Sequence, residues 1–162
     1  MQVNPTEDDD LGGLVDAVVT ASRVFVGIAT QTLEEVTGDL TLPQFRTLVA
    51  LDTRGPCSVG ELAEELGVHA STATRMSRRL VTKKLVTRRS ARHDRREQEV
   101  SLTTAGQRIV DTVMLRRREA IASIVEKVPL AQRRAMVRAL RAFARAADAD
   151  GDHAWLAGWS VA

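Results

Sequence analysis

The chain has 162 residues, of which 44% are hydrophobic and 3% aromatic, with 23 basic residues against 21 acidic ones. This length and apolar content fit one domain over residues 1–162 with a mainly aliphatic core, and they exclude a disordered basic tail. The net charge of +2 hides a segregation, because residues 71–96 hold ten Lys or Arg and one acid, whereas residues 1–70 hold three basic and twelve acidic residues. A basic block beside acidic sequence favours a polyanionic partner.

The N-terminal region reads as a frayed start followed by one long helix. The first ten residues are acidic and polar and do not resemble a signal peptide. Residues 11–37 carry an apolar stripe at helical spacing, from Leu11 to Val36, and such a helix needs a large partner surface. No apolar stretch reaches the ~18 residues of a membrane span. We therefore expect a cytoplasmic protein with no membrane partner.

Local start and stop signals then predict three helices. Thr41-Leu42-Pro43 begins the first, with Pro in the first turn, and Gly55-Pro56 ends it. Ser58-Val59-Gly60-Glu61 has the form of a capping box, and Gly67 is free to end that second helix with a positive φ. A third helix is expected from His69–Ser71 to about Lys84.

The third helix has two chemically different faces. At 100° per residue its inward face holds Ala73, Met76, Ser77 and Leu80. The opposite face is polar and basic, and it consists of Ser71, Arg75, Arg78 and Thr82, flanked by Thr74 and Arg79. Such a helix fits the major groove of DNA, where Arg, Ser and Thr reach base edges and phosphates. The alternative is a solvated charged face.

Two strands and a charged connection follow this helix. Leu85–Arg89 and Gln98–Leu102 are β-branched and apolar without a helical period, and residues 90–97 between them are polar and Arg-rich. We expect an antiparallel hairpin whose tip reaches phosphates or a minor groove. Asp94 is placed to orient Arg96 in that tip. The alternative is a solvated loop.

The C-terminal region predicts two more amphipathic helices. Thr103 or Thr104 caps a helix that runs to about Val128, and a last helix covers Leu130–Ala147. Arg117 falls within the apolar stripe, where we expect it to pair with an acid or to extend its head to water; contact with a ligand carboxylate is the alternative. Residues 11–37 and 105–147 are too apolar to cover one another alone, which predicts a homodimer. Trp155 and Trp159 are expected to dock on that interface, and a free tail with exposed Trp is the alternative.

The spacing of several short motifs resembles the MarR family of winged-helix transcription regulators. The resemblance is carried by Leu62-Ala63, Ser71-Thr72-Ala73-Thr74-Arg75, Leu85-Val86-Thr87-Arg88, Asp94-Arg95-Arg96 and Val100-Ser101-Leu102-Thr103-Thr104-Ala105-Gly106. Lys83-Lys84 departs from the pattern, since the family often has Gly after a charged residue there.

The resemblance implies a mainly α fold with a small β wing. A winged helix-turn-helix over residues 43–104 would bind double-stranded DNA between long dimerisation helices at 11–37 and 105–147, interleaved in the dimer. It also implies a small aromatic or anionic effector bound between the dimer helices and the winged helix. The expected DNA-binding residues are Ser71, Thr72, Thr74, Arg75, Arg78, Arg79, Arg88, Asp94, Arg95 and Arg96.

Other chemistries find little support in the residues. Cys57 is the single cysteine and is expected in a buried short strand as an inert thiol, although oxidant sensing is the alternative. His69, His93 and His153 lack ligand spacing, so we expect no metal, and no catalytic or cofactor motif is present.

Three functions are therefore weighed. The first is a ligand-responsive repressor that binds an inverted-repeat operator as a homodimer. The second is a non-specific architectural DNA-binding protein, which would more often show apolar wedges at the tip and basic charge throughout. The third is an enzyme with Cys57 as nucleophile and His69 beside it.

Overall fold

Six helices and one small sheet make up the described structure. The computed structural model describes residues 5–90 and 98–149. The elements in chain order are α1 (Pro5–Thr37), α2 (Leu42–Arg54), β1 (Cys57–Ser58), α3 (Val59–Leu66), α4 (Ala70–Thr82), β2 (Val86–Ser90), β3 (Gln98–Leu102), α5 (Thr104–Val125) and α6 (Leu130–Ala149). The expected class, a mainly α fold with a small β wing in a winged helix-turn-helix flanked by long helices, is confirmed. The Trp155 and Trp159 tail lies outside the described residues.

Side-chain caps set the boundaries of α2 and α3; the cap at Ser58 was predicted, and the one at Thr41 is additional to the predicted helix start. The Thr41 hydroxyl accepts from the Gln44 N–H while the Gln44 side chain accepts from the Thr41 N–H, which closes a capping box at the start of α2. Ser58 and Glu61 form the same box at α3. The bond from the Ser58 N–H lowers the pKa of Glu61. Gly67, with φ 63°, ends α3 in the left-handed conformation.

The sheet has the order β1-β3-β2 with antiparallel pairing throughout. Val86 faces Leu102 and Arg88 faces Val100, which confirms the expected hairpin. Cys57 pairs with Val100 from the other side, so the short buried strand predicted at Cys57 completes a three-stranded sheet.

One core joins α2, α3, α4, the sheet and the first half of α5. Its fully buried side chains include Phe45, Leu48, Leu62, Leu80 and Val100. Helix α1 packs along α5, whereas α6 has at most marginal contact with the other described elements.

Some predicted boundaries were wrong. Helix α1 begins at Pro5 instead of Leu11, because Pro suits a first helical position and the acids that follow favour a helix N-terminus. Helix α5 ends at Val125, three residues before the predicted end at about Val128. There the Arg133 guanidinium donates to the carbonyl oxygens of Glu126 and Val128, which closes the chain into a turn before α6.

The hydropathy of α1 also corrects an expectation. Residues Asp10–Thr37 form a helix of 28 residues that contains an 18-residue window with a mean hydropathy of 1.6, so by length and composition the helix could cross a membrane. Asp16 and Arg23 divide its apolar residues into shorter runs but leave the average hydropathy of the window high.

Candidate nucleic-acid interface

Helix α4 is fixed in orientation by its buried face. Ala73, Ser77 and Leu80 are buried, as predicted, and Met76 is half-buried beside Thr47, whose hydroxyl lies 3.8 Å from the Met76 sulfur. The Ser77 hydroxyl donates to the Thr74 carbonyl oxygen at 3.0 Å, so this buried polar group is satisfied within the helix.

The opposite face of α4 is open to solvent. The structure brings Ser71, Arg75, Arg78 and Arg79 together as exposed side chains on one side of the helix, with Thr72 and Thr74 half-buried at its margins. This face, here called the α4 face, consists of Ser71, Thr72, Thr74, Arg75, Arg78 and Arg79. Its hydroxyls and guanidinium groups donate hydrogen bonds from a rigid helix, which is the chemistry that base edges and phosphates accept.

The N-terminus of α4 is a feature that the sequence reasoning did not single out. His69 occupies the cap position without a side-chain hydrogen bond to the helix, whereas Thr41, Ser58 and Thr103 each cap their helices by a hydroxyl. The His69 carbonyl oxygen accepts from the Thr72 and Ala73 N–H groups, which leaves the N–H groups of Ala70 and Ser71 for an outside acceptor such as a phosphate oxygen. The sequence did contain a sign of this feature, because His69 is not one of the residues (Ser, Thr, Asp or Asn) that usually cap a helix N-terminus.

The strand beside α4 carries further cations. Arg88 is half-buried and Arg89 is exposed on β2. The hydroxyls of Thr87 and Ser101, 3.0 Å apart, link β2 to β3 across the hairpin. Asp94, Arg95 and Arg96 of the expected tip lie outside the described residues.

Arg117 lies on α5 against α2. Its guanidinium carbon is 5.7 Å from the centre of the Phe45 ring, within cation–π distance. Burial lowers the pKa of Arg117, yet a guanidinium stays charged in proteins. The sequence located Arg117 in the apolar stripe but gave no means of naming its aromatic neighbour.

Cys57 is poorly placed to act as a nucleophile. Cys57 is 5% exposed, and burial raises the pKa of its thiol, which disfavours the reactive thiolate. Within residues 5–90 and 98–149, no group of three or more His, Cys, Asp or Glu side chains is placed to hold a metal ion.

Comparisons with known proteins agree with this geometry. The sequence model of the MarR family matches residues 40–98. YpoP of Bacillus subtilis (strain 168), an uncharacterized HTH-type transcriptional regulator, is 31% identical over 97 residues, which are 60% of this chain and 69% of YpoP.

Two solved structures extend the match beyond the family segment. RV1404 from Mycobacterium tuberculosis is 42% identical with a TM-score of 0.80, over 83% of this chain and 92% of that one. BpsR of Bordetella bronchiseptica, whose DNA binding is regulated by 6-hydroxynicotinic acid, is 27% identical with a TM-score of 0.57, over 80% of this chain and 91% of that one. The winged-helix geometry, the family match and these relatives together establish that the chain belongs to the MarR family of transcription regulators.

Proposed function

We propose that this regulator is a cytoplasmic repressor that binds an inverted-repeat operator as a homodimer and releases it when a small effector binds. The observation that carries the proposal is the α4 face, a basic and hydroxyl-rich surface on a helix whose other side is anchored in the core. A rigid helix of this kind can read base edges in a major groove because its donors are held in fixed positions.

The proposed DNA-binding residues are the α4 face together with Arg88, Asp94, Arg95 and Arg96. Arg75, early in the helix and in the middle of its exposed side, is assigned to base edges. Phosphate oxygens are assigned to the uncapped N-terminus of α4 and to Arg88. The wing residues Asp94 to Arg96 keep their expected role, with Asp94 orienting Arg96 towards a phosphate or a minor groove.

Homodimerisation is supported by apolar surface that the single chain leaves uncovered. Leu11, Leu14, Val15 and Val26 on α1 are all exposed to half or more of their surface, as is Phe143 on α6. Patches of this kind usually mark an interface. In this proposal residues 11–37 and 105–147 supply the dimerisation helices and residues 43–104 supply the DNA-binding region.

The charges of the two terminal helices support their pairing between chains. Arg134, Arg138, Arg141 and Arg145 recur along one side of α6 and are exposed. The sequence at the start of α1 is Glu7-Asp8-Asp9-Asp10. Opposite charges on the two helices favour contact between α1 of one copy and α6 of another.

The proposed effector is a small aromatic anion. The half-buried Arg117 cation, which lies over the buried Phe45 ring, places a positive charge next to the core. A cation in such a place suits a carboxylate or a phenolate. The regulation of BpsR by 6-hydroxynicotinic acid, a compound of this class, lends support by analogy.

Selection of binding sites from a random duplex library tests the proposal. We expect an inverted repeat with half-sites roughly 10 bp apart, because a two-fold dimer presents two copies of α4 to successive major grooves. Fluorescence anisotropy should then show binding to the selected duplex far tighter than to a scrambled one. If no consensus emerges and both duplexes bind alike, the protein is an architectural binder.

A further inference from the structure

Two contacts from different parts of the chain meet at the C-terminal end of α4. We propose that Thr103 and Asp39 are positioning residues that hold this end and thereby set the angle of the α4 face on DNA. The inference rests on the proposed function and extends it to two residues away from the α4 face, one that caps the start of α5 and one that follows α1.

The end of α4, here called the α4 cap, consists of Lys83, Lys84 and Leu85. The Lys84 N–H donates to the Val81 carbonyl oxygen at 2.9 Å, and the Leu85 N–H donates to the Leu80 carbonyl oxygen at 3.0 Å. This pair of bonds is the Schellman arrangement, with Lys84 at a φ of 61° in the place where glycine is usual. The α4 cap is therefore bonded back to α4 and moves with it.

The first contact comes from the start of α5. The Thr103 hydroxyl donates to the Lys84 carbonyl oxygen at 2.8 Å and accepts from the Gly106 N–H at 3.0 Å. The Thr103 N–H also donates to the Leu85 carbonyl oxygen at 3.0 Å. One side chain thus caps α5 and binds the α4 cap at the same time.

The approach of α5 to the α4 cap is as close as the backbone allows. A Cβ atom placed on Gly106 would lie 2.2 Å from the Leu85 carbonyl oxygen. Any displacement of the first turn of α5 must therefore push or release the α4 cap directly, since no side chain lies between the two backbones.

The second contact comes from the connection between α1 and α2. Lys83 forms an ion pair with the Asp39 carboxylate, and its ammonium also lies 3.5 Å from the Asp39 carbonyl oxygen. The Asp39 side chain is largely exposed, so salt weakens this contact more than the one with Thr103. The α4 cap thus has one firm support on α5 and one adjustable support at the end of α1.

These supports predict an effect on specificity more than on total affinity. A change in the angle of α4 misplaces side chains that read bases, whereas phosphate contacts tolerate small shifts and depend mainly on charge. Loss of the Thr103 hydroxyl removes no charge. It should therefore lower the ratio of operator affinity to scrambled-duplex affinity.

The test compares Thr103→Val, which keeps the shape and loses the hydroxyl, with Thr103→Ser, which keeps the hydroxyl. Thr112→Val is the matched control, because the Thr112 hydroxyl donates only to Arg108 within α5. We expect Thr103→Val to lower the operator-to-scrambled ratio about tenfold, the order of one misplaced base contact. The Ser variant and the control should keep the wild-type ratio. A folded Thr103→Val with an unchanged ratio and a lowered melting temperature would reduce Thr103 to a helix cap and overturn the proposal.

Asp39→Asn provides a second arm that does not depend on the stability of Thr103→Val. Its site is exposed, and Glu35→Gln, a nearby exposed acid of α1 whose partner is Gln31, is its control. We expect Asp39→Asn to lower the ratio about two- to threefold at low salt, with the difference from wild type vanishing at high salt. An operator-to-scrambled ratio equal to that of wild type at every salt concentration would overturn the role of Asp39. If Thr103→Val also fails to fold, that result would overturn the whole inference. If wild-type protein itself does not prefer the operator, it is the proposed function that fails.

Discussion

Two regions of the molecule differ in how far a single chain buries their apolar side chains. The first region runs from α2 to β3, and the second consists of the exposed sides of α1 and α6. Phe45, Leu48, Leu62 and Val100 are fully buried within one chain. On α6, Leu130 is 77% exposed and Phe143 is 56% exposed. The first region completes its own core and leaves a mainly polar surface, whereas the second leaves large apolar side chains uncovered in a single chain. The difference supports the proposal of two partners of different kinds, a polyanion for the first region and an apolar surface for the second.

The largest effect should come from the completed core. Leu48→Ala removes a fully buried side chain and should lower the free energy of unfolding by about 2–5 kcal/mol. Urea denaturation followed by circular dichroism, at a fixed protein concentration, measures the change. Glu64→Ala, at an exposed position of α3 outside the proposed dimerisation helices, is the control and should cost less than about 0.5 kcal/mol. Equal losses in the two variants would contradict the placement of Leu48 in a core that one chain completes.

A charge on the apolar side of α6 should separate the two copies. Phe143→Glu should weaken dimerisation by about 2–3 kcal/mol, through the lost aromatic burial and the placement of a carboxylate in an apolar contact. Light scattering across a dilution series gives the dissociation constant. Thr53→Glu introduces the same charge at an exposed site on α2, outside the proposed dimerisation helices, and should leave the dimer intact. A well-folded wild-type monomer at micromolar concentration would show that the exposed stripe serves another purpose.

A substitution on the α4 face should lower the preference of the protein for operator DNA over scrambled DNA. Arg75→Ala should weaken operator binding by about 1–3 kcal/mol per half-site and scrambled-duplex binding much less. Arg108→Ala removes the same charge from an exposed site on α5 and serves as the control. Anisotropy titrations with both duplexes provide the measurement. An equal loss on both would mean that α4 supplies charge alone.

The wing should act on both kinds of DNA. Arg96→Ala should weaken operator and scrambled binding alike and lower the salt slope by about one unit per wing. Asp94→Ala should have a milder effect of the same sign, although it makes the protein more positive. Titration at several salt concentrations measures both. Tighter binding by Asp94→Ala would show that the tip is only a charged loop.

The smallest effect is expected at Cys57. Its burial and raised thiol pKa predict that peroxide leaves operator affinity unchanged and that Cys57→Ser binds the operator like wild type. Anisotropy before and after oxidation checks this. A loss of binding that reductant reverses, and that the Ser variant lacks, would assign a sensing role to the thiol.

Much of the fold was predictable because its determinants are local. The capping boxes at Thr41 and Ser58, the left-handed Gly67 and the two faces of α4 each depend on residues within one or two helical turns. The same reasoning located the candidate DNA-binding residues on α4, although their contacts with DNA stay a prediction.

The rest depended on contacts between distant residues. Lys83 and Asp39 are separated by 44 positions, and the pairing of Arg117 with Phe45 requires the packing of α5 on α2. The sequence itself showed that Lys83-Lys84 departs from the family pattern, which often has Gly after a charged residue there. The outcome of this departure, a left-handed Lys84 whose carbonyl oxygen binds Thr103, was not visible there, because it is the position of α5 that provides the donor.

The close approach at Gly106 has a genetic consequence. Every missense change that a single base substitution can make in a glycine codon adds a Cβ atom, and at this position that atom would meet the Leu85 carbonyl oxygen at 2.2 Å. The neighbouring atom is backbone and cannot rotate aside, so the two segments must move apart. A screen for alleles that lose regulation at raised temperature should therefore recover this codon repeatedly, whereas substitutions at Gly12 or Gly13, which have nothing within 4 Å of a Cβ, should not be selected for that reason.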